Sequence, residues 1–462
     1  MPILNPTVPR ADVGEPSFLG HPRGLFVLFF TEMWERFSYY GMRTLLVLYM
    51  VDHLFLRPDV GRHVLGFTAV KGVLESIFGP LEAQPLSSQI YGLYTGLVYL
   101  TPLFGGILAD RWLGRRKSVV LGAVLMAIGH FLMAVEWLFF PALLFLVMGN
   151  GAFKPNISTQ VGDLYPPGDP RRDRAFTIFY MGINLGSFFS PLVCGTLGQK
   201  VGWHYGFGAA GVGMVLGLLL YLWGQRYLAP EQIAERRAAR KAEKEPLTAG
   251  EWRRVIALVV LCALNIVFWG VYEQQGNTMQ LWADRNTSWS IFGWEMPSTW
   301  YQAFNPLIIF AFAPLLNMFW TWQNGRRREP GSVMKMAIGC FLLGASFLIM
   351  IAGTRGMGPE DQRSVLWLLG TTFVLTIGEL YLSPIGLSLV TKVSPARIVS
   401  MMMGVWFLSS FFGNYMSGFL GTFYERMSRE TFFGMLCLLG LAAGLAIWAF
   451  SKPLKAAVAS HE

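Results

Sequence analysis

The chain has 462 residues, of which 53% are hydrophobic and only 14% are charged, and its formal net charge is +9. This balance, with 16 tryptophans and 36 phenylalanines, excludes an ordinary water-soluble globular protein. We therefore expect a polytopic membrane protein. The positive charge requires no nucleic-acid partner, because basic loops orient such a protein in the bilayer.

Apolar runs of the length that a bilayer requires recur along nearly the whole chain. A transmembrane helix needs about 20 residues to cross a hydrocarbon core of about 30 Å. The sequence predicts twelve such helices, over residues 24–51, 87–112, 117–138, 141–163, 175–199, 204–227, 253–282, 300–322, 333–353, 364–391, 398–423 and 432–450. We therefore predict an all-α membrane protein. Because the first 22 residues lack the pattern of a cleaved signal peptide, we expect the first helix to be retained.

Basic residues are concentrated in alternate loops between the predicted helices. Most of the 37 Lys and Arg residues lie on one side if both termini are cytoplasmic, and the positive-inside rule favours that orientation. The polar segment EQIAERRAARKAEKE at 231–245 separates six helices from six and can form a cytosolic helix or a solvated linker. We expect an N-terminal bundle at 1–228, a cytoplasmic basic linker at 229–252 and a C-terminal bundle at 253–462.

The first predicted helix contains the segment TEMWERFSYYG, which carries charges that a lipid-facing helix would not tolerate. Its polar residues are Glu32, Glu35, Arg36, Tyr39, Tyr40 and Arg43. Four charges cost on the order of 10 kcal/mol at the bilayer centre, against roughly 4 to 7 kcal/mol returned by the Leu, Val and Phe side chains. At about 100° per residue, all six fall within an arc of about 140°. This face is therefore predicted to point at a wet cavity or at partner helices; the alternative is a buried ion pair that only fixes packing.

Three other predicted helices carry isolated charges near their centres, at Lys154, Glu273 and Glu379. A cavity shared with the first helix would offer each a partner of opposite sign. A carboxylate paired with Arg or Lys holds its charge and can take up a proton when the pair is broken. Pro155 and Pro384 lie close to two of these charges, where a helix can bend. The combination is what a proton-coupled carrier needs.

A loop motif indicates a superfamily. The stretch GGILADRWLGRRKS at 105–118 follows the second predicted helix, and NGRRRE at 324–329 echoes it after the eighth. The first stretch resembles the signature of the major facilitator superfamily, although an ordinary basic inner loop is the alternative. The resemblance implies two six-helix bundles that rock around a central site. It also implies that Asp110, Arg111 and Arg115 form a conformational motif, in which Asp110 and Arg111 help to hold one closed state.

Further motifs resemble those of a narrower family, the proton-dependent oligopeptide transporters. They stand in the expected order along nearly the whole chain: EMWERFSYYG, FTIFYMGINLGSF, FKPN, FWGVYEQQG, FNPL, GELYLSPIGLS and MMMGVWFLS. The resemblance implies uptake of di- and tripeptides across a bacterial cytoplasmic (inner) membrane, driven by the inward proton gradient. It implies no enzyme activity, cofactor or metal, and nothing in the sequence demands more than a monomer.

The same resemblance implies roles for individual residues. Arg36 and Lys154 would attract the peptide carboxylate, and Glu379 would hold the amino terminus. Glu32, Glu35, Arg36 and Glu273 would serve proton coupling, with Arg43 and Glu273 forming an outer gate. The full implied binding set is Arg36, Tyr39, Tyr40, Arg43, Tyr99, Lys154, Asn184, Trp269, Glu273, Asn305, Glu379, Ser383 and Trp406. Asn184 and Asn305 would bond the peptide backbone, and the aromatic members would line side-chain pockets.

Three departures from the family pattern bear on these roles. Many bacterial members carry two extra helices between helices 6 and 7, for which this chain has no apolar segment of sufficient length. Glu273 is followed by Gln274 where some members have a second acid, which leaves the partner of Arg43 open. Gly92 stands where animal peptide transporters have a histidine, so the glutamates must do more of the proton coupling.

The sequence also leaves other functions open. A proton-coupled carrier of nitrate, an amino acid or a drug remains the main alternative, with export a further one. An integral-membrane enzyme would need a nucleophile, a metal cluster or paired catalytic acids. The six histidines are scattered along the sequence, and the four cysteines all lie in predicted helices without metal-site or disulfide spacing.

Overall fold

The computed structural model describes residues 17–166, 168–231, 247–291, 293–358, 361–395 and 398–451. These residues form twelve long helices: α1 (Arg23–Asp52), α2 (Ala83–Leu108), α3 (Arg115–Leu132), α4 (Phe139–Asp163), α5 (Arg171–Ser190), α6 (Trp203–Gly224), α7 (Ala249–Tyr272), α8 (Phe304–Gly325), α9 (Ser332–Thr354), α10 (Leu366–Val393), α11 (Val399–Gly421) and α12 (Arg429–Ala449). Each overlaps one predicted helix, which confirms the all-α fold class.

Nine of the helices in the described ranges, some extended by adjoining short helical segments, are long and apolar enough to cross a membrane. The other three long helices are α1, α3 and α11. The charges of the polar face reduce the apolar character of α1, and three basic residues at its start reduce that of α3. Twelve crossings and two cytoplasmic termini therefore stay predictions.

Shorter elements connect or extend the long helices. The short helical segments are Leu54–Leu56, Val60–His63, Phe67–Phe78, Ala109–Leu113, Glu136–Leu138, Pro191–Gly195, Thr196–Lys200, Gln225–Tyr227, Glu273–Gly276, Thr278–Arg285 and Ser298–Ala303. Three two-stranded pairs occur: Ser17–Phe18 with His21–Pro22 and Ser290–Ile291 with Trp294–Glu295 are antiparallel, and Thr287–Ser288 with Arg363–Ser364 is parallel. Residues 232–246 of the predicted linker lie outside the described residues, so the division into two bundles and a linker stays a prediction.

The helix contacts repeat between the first six and the last six helices. In the first half, α1 packs on α5 and α6, α2 on α4, and α3 on α4 and α6. In the second half, α7 packs on α11 and α12, α8 on α10, and α9 on α10 and α12. Each pair thus has a counterpart six helices later, as expected for structural repeats. The cross-contacts between halves, α2 with α11 and α5 with α8, follow the same rule.

Local sequence explains how several helices begin and end. The Thr248 side chain accepts a hydrogen bond from the Glu251 amide while the Glu251 carboxylate accepts one from the Thr248 amide, a capping box that starts α7. Gly114 joins the π-helical turn Ala109–Leu113 to α3 with a φ of 78°, a left-handed value that favours glycine. The turn that Gly114 makes therefore favours glycine at this position of the GGILADRWLGRRKS stretch.

Candidate functional site

A cavity of about 1060 Å³ lies between the two halves, which are α1–α6 and α7–α12. The structure brings together in its wall most of the residues of the implied binding set, drawn from seven long helices and the short segment Glu273–Gly276. They are Arg36, Tyr39, Tyr40, Arg43, Tyr99, Lys154, Asn184, Trp269, Glu273, Asn305, Glu379 and Ser383. The wall is mostly apolar and aromatic, with a few charges, as is usual for small-molecule sites.

A cluster of four charges joins α1 to α4 at one side of the cavity. The Arg36 guanidinium donates to both carboxylate oxygens of the adjacent Glu35, with Nε 2.5 Å from Oε2 and Nη2 2.6 Å from Oε1. Glu32 Oε1 lies 3.4 Å from the same Nε and 3.1 Å from Lys154 Nζ. Both glutamates are fully buried behind Arg36, which itself lines the cavity. One oxygen of Glu32 is therefore shared by two cations.

Aromatic rings support this cluster. The Arg36 guanidinium carbon lies 4.9 Å from the centre of the Tyr39 ring and 6.0 Å from that of Tyr40. Such contacts stabilise a cation by about 0.5 to 2 kcal/mol, depending on how far it is desolvated. The polar face predicted for α1 is thus divided, because its tyrosines and arginines face the cavity while its glutamates face α4.

The opposite side of the cavity carries the Glu379 carboxylate of α10. Its Oε2 accepts hydrogen bonds from the Tyr272 hydroxyl at 2.6 Å and from Asn305 Nδ2 at 3.0 Å. Asn305 also lies within hydrogen-bond distance of Thr376 Oγ1, at 3.0 Å. Neutral donors from α7 and α8 therefore orient this carboxylate, in contrast with the cation-bound glutamates of α1.

One end of the cavity is closed by an ion pair between the halves. Arg43 of α1 pairs with Glu273, and its Nε donates to the Tyr91 hydroxyl at 2.7 Å. All three side chains are buried. A Cβ on Gly276 would lie 1.9 Å from the Tyr91 hydroxyl, so only glycine allows this approach. Gln274, whose position left the partner of Arg43 open, instead donates to the Ser417 carbonyl oxygen at 2.9 Å.

Further contacts join the halves beyond this ion pair. The Arg285 guanidinium bridges Asp52 at the end of α1, at 3.0 Å, and Glu425 after α11, at 2.9 Å. Gln199 Nε2 donates to Asp284 Oδ1 at 3.0 Å and to Ser298 Oγ at 2.8 Å. The helix ends that carry these residues are those farthest from the basic loops after α2 and α8, and we call this the outer side.

The cavity extends toward the other, inner side. Its wall continues to Asp110 at the start of the turn after α2, to Ser158 and Thr159 of α4, and to Val399 and Met401 at the start of α11. The halves are thus held together on the outer side and separated on the inner side. Within the loop motif, Arg115 pairs with Asp163 at the end of α4, which joins the inner ends of α3 and α4.

Two placements differ from the sequence-based expectations. Within the described residues, Trp406 is not part of the cavity wall; its buried ring packs on α10, where a Cβ on Gly386 would lie 2.3 Å from the ring. Tyr272 and Tyr180 line the cavity although neither was singled out. The quoted motifs FWGVYEQQG and FTIFYMGINLGSF contain these two tyrosines, which is the signal that could have identified them.

Comparisons with known proteins identify the family. A family model described as the POT family matches residues 116–247 and 230–435. The peptide transporter YePEPT of Yersinia enterocolitica is 33% identical over 88% of this chain and 89% of its own. A di-/tripeptide transporter of Lactococcus lactis subsp. cremoris is 31% identical over 95% of this chain and 97% of its own. The chain belongs to the POT family.

A solved structure agrees over the same extent. The crystal structure of a peptide transporter POT in complex with sulfate matches with a TM-score of 0.82 at 32% identity, covering 97% of this chain and 98% of that one. Membership confirms the resemblance drawn from the motifs and the major facilitator type of fold. This POT-family chain is a multi-pass membrane transporter, and the alternative of an integral-membrane enzyme is set aside.

Proposed function

We propose that this POT-family protein imports di- and tripeptides by symport with protons across the bacterial inner membrane, acting as a monomer. The observation that carries the proposal is the opposition of charge across one cavity. Arg36 and Lys154 line it from the N-terminal half, and Glu379 lines it from the C-terminal half. A short peptide carries a carboxylate at one end and an ammonium at the other, and each end meets a group of opposite charge.

The two binding groups differ in how they would hold the peptide. Arg36 is clamped by Glu35, whereas Lys154 is about one-third exposed and shares its only described ion-pair partner with Arg36. Lys154 is therefore the more available group for the peptide carboxylate. Glu379 already accepts from neutral donors, so an incoming ammonium adds a charge-assisted bond without displacing another cation. Asn184 and Asn305 lie in the wall as donors and acceptors for the peptide backbone.

The aromatic wall supports acceptance of varied side chains. Tyr39, Tyr40, Tyr99 and Trp269 line the cavity and offer apolar area with few fixed polar contacts. Within the described part of the chain, the buried Tyr39 hydroxyl and Trp269 Nε1 have no hydrogen-bond partner. Because an unsatisfied buried polar atom costs about 1 to 3 kcal/mol, both are donors for a ligand or a bound water.

Proton coupling would act through Glu32 and Glu35. Glu32 Oε1 contacts Lys154 and Arg36, whereas Oε2 is buried without a hydrogen-bond partner among the described residues. A proton on Glu32 would remove the charge that holds Lys154 and release the ammonium toward the cavity and the peptide carboxylate. Loss of the proton would restore the Lys154–Glu32 pair and weaken the hold on the peptide. Peptide and proton would thereby move in the same direction.

Conformational exchange completes the proposed cycle. The pair Arg43–Glu273 and the bridges of Arg285 close the outer side, so the present state exposes the cavity inward. Opening outward requires these contacts to break and the inner ends to close, where Asp110, Arg111 and Arg115 form the conformational motif. Rocking of two repeated halves around a fixed central site accounts for both states.

The proposal is tested by uptake of labelled dialanine into proteoliposomes under an imposed inward proton gradient. Accumulation that exceeds a control with a collapsed gradient is expected, and excess unlabelled tripeptide should compete. If folded, reconstituted protein accumulates no dialanine but does accumulate labelled nitrate or a free amino acid, the peptide proposal is wrong and the alternative carrier function takes its place.

A further inference from the structure

Three histidines, His53, His63 and the distant His204, meet around one carboxylate on the outer side. Glu136, in the turn before α4, has Oε1 2.7 Å from His53 Nε2 and 3.9 Å from His204 Nε2. Its Oε2 lies 2.8 Å from His63 Nε2 and 2.9 Å from Arg57 Nη1. None of these residues lines the central cavity within the described chain, so transport of a peptide does not account for the cluster.

The ligand atoms of one subset lie close enough together to share a metal ion. One ligand atom from each of His53, Glu136 and His204 lies within 4.8 Å of the others. Around a tetrahedral zinc ion with bonds of about 2.0 to 2.1 Å, two ligand atoms lie about 3.4 Å apart. The two Glu136–histidine separations, 2.7 and 3.9 Å, bracket this value, and the separation between the two histidine ligand atoms is at most 4.8 Å. Side-chain adjustments on the order of 1 Å would bring the three atoms to bonding positions.

We propose that His53, His204 and Glu136 form a binding site for a divalent transition-metal ion of the zinc type on the outer side of the N-terminal half. Two imidazoles and a carboxylate are a ligand set that such ions accept, and a water completes a four-coordinate site. Each histidine binds through Nε2 when Nδ1 carries the proton. The His53 and His204 side chains are 37% and 44% exposed, so an ion can enter from solution.

The surroundings hold the ligands in place. Arg57 and His63 both bond Oε2 of Glu136, which orients the carboxylate and leaves Oε1 directed at the two ligand histidines. The Tyr49 ring stacks on His53 at 5.5 Å and meets His204 edge-on at 6.5 Å. His53 directly follows the C-terminal end of α1, where the helix dipole favours a cation.

Nearby positive charge sets a limit on affinity. The Arg57 guanidinium is itself paired with Asp59 at 3.1 Å, and this hydrogen bond lowers the pKa of the Asp59 carboxyl. Asp59 therefore remains charged and partly neutralises Arg57 beside the site. We expect the Arg57 guanidinium to weaken binding of a cation, because it is bonded to Oε2 of the same carboxylate whose Oε1 would face the ion.

The test uses full-length protein in detergent, freed of its affinity tag and of metal. Zinc chloride is titrated in competition with a chromophoric chelator. We expect about one bound equivalent, and at least a tenfold loss of affinity in each of His53→Gln, His204→Gln and Glu136→Gln. His21→Gln is the matched control, since His21 bonds Tyr165 near the inner end of α1, and it should bind zinc as the parent protein does.

Two further measurements distinguish loss of the zinc site from misfolding of a variant. Zinc should raise the melting temperature of the parent protein and of His21→Gln, but not that of the double variant H53Q/H204Q. X-ray absorption at the zinc edge of the parent protein should show scattering from two imidazole rings. The proposal would be overturned by any of three results. These are no zinc uptake by the parent protein, zinc affinities of folded His53→Gln and His204→Gln equal to that of the parent protein, or a spectrum without imidazole scattering.

Discussion

The backbones of Gly92 in α2 and Gly418 in α11 are in contact, and a Cβ on Gly92 would lie 2.6 Å from both the Cα and the amide nitrogen of Gly418. The two helices belong to different halves, so the absence of a side chain at Gly92 sets how closely the outer side can close. It also explains why a histidine would not fit at this position in the present state.

Gly92→Ala is expected to lower the initial rate of dialanine uptake by at least tenfold, because the added methyl group forces α2 and α11 apart when the outer side closes. Gly208→Ala is the control, since a Cβ on Gly208 meets no atom within 4 Å. The measurement is uptake by equal amounts of reconstituted protein. Unchanged uptake by Gly92→Ala would show that the glycine contact does not limit the cycle.

Glu273→Gln is expected to slow uptake strongly, because it leaves the buried Arg43 guanidinium without its ion-pair partner. Breaking a buried pair in this way costs about 3 to 5 kcal/mol. Tyr91→Phe removes only one hydrogen bond to Arg43, worth about 0.5 to 1.5 kcal/mol, and should have the smaller effect. The measurement is the initial rate of dialanine uptake by each variant. Equal losses of rate would mean that the Arg43–Glu273 ion pair is not the main contact that closes the outer side.

Glu379→Gln is expected to weaken dialanine binding by roughly 10- to 100-fold, because a charge-assisted bond to the peptide ammonium contributes about 1.5 to 3 kcal/mol. An N-acetylated dipeptide has no ammonium, so its weaker inhibition should be the same for the parent protein and the variant. Competition against labelled dialanine measures both. A parallel loss for the two ligands would show that Glu379 does not contact the amino terminus.

Glu35→Gln and Glu32→Gln are expected to lose gradient-driven accumulation and to keep some peptide exchange, since exchange requires no net proton movement. The comparison is between accumulation under a gradient and counterflow without one. Normal accumulation by Glu35→Gln would exclude Glu35 as a coupling site. In that outcome Glu32, which shares an oxygen between Lys154 and Arg36, and Glu273 would remain as the acidic coupling residues.

The helices and the charged positions of the cavity wall could be predicted from the sequence because apolar runs and buried charges carry a strong energetic signal. Apart from the tyrosines on the polar face of α1, the uncharged residues of the binding set were implied only by the family resemblance. The partner of Arg43 could not be predicted from the sequence. The adjacent side chains of Glu273 and Gln274 point in different directions, and the conformation of the turn Glu273–Gly276 determines which of them faces Arg43. The order of the motifs placed Trp406 on α11, but it could not predict that the Trp406 ring packs on α10.

The histidine cluster lay beyond sequence reasoning for a different reason. Its ligands come from the end of α1, the turn before α4 and the start of α6, and no spacing along the chain relates them. The direct pairing of Glu35 with Arg36 was also unexpected, since neighbouring positions differ by about 100° on a helix. Their side chains are nevertheless long enough to converge, and both are buried.

The repetition of helix contacts six positions along the chain has a consequence for how a peptide lies in the cavity. The helix contacts repeat, yet the charges of the wall do not: the first half contributes Arg36, Arg43 and Lys154 with Asp110 toward the inner side, and the second contributes Glu273 and Glu379. A peptide that entered the other way round would place like charges together at both ends. In the proposed binding mode, the repeated helix contacts alone would admit a peptide in either orientation. The unequal charges would favour the orientation that places the peptide carboxylate near Lys154 and the ammonium near Glu379.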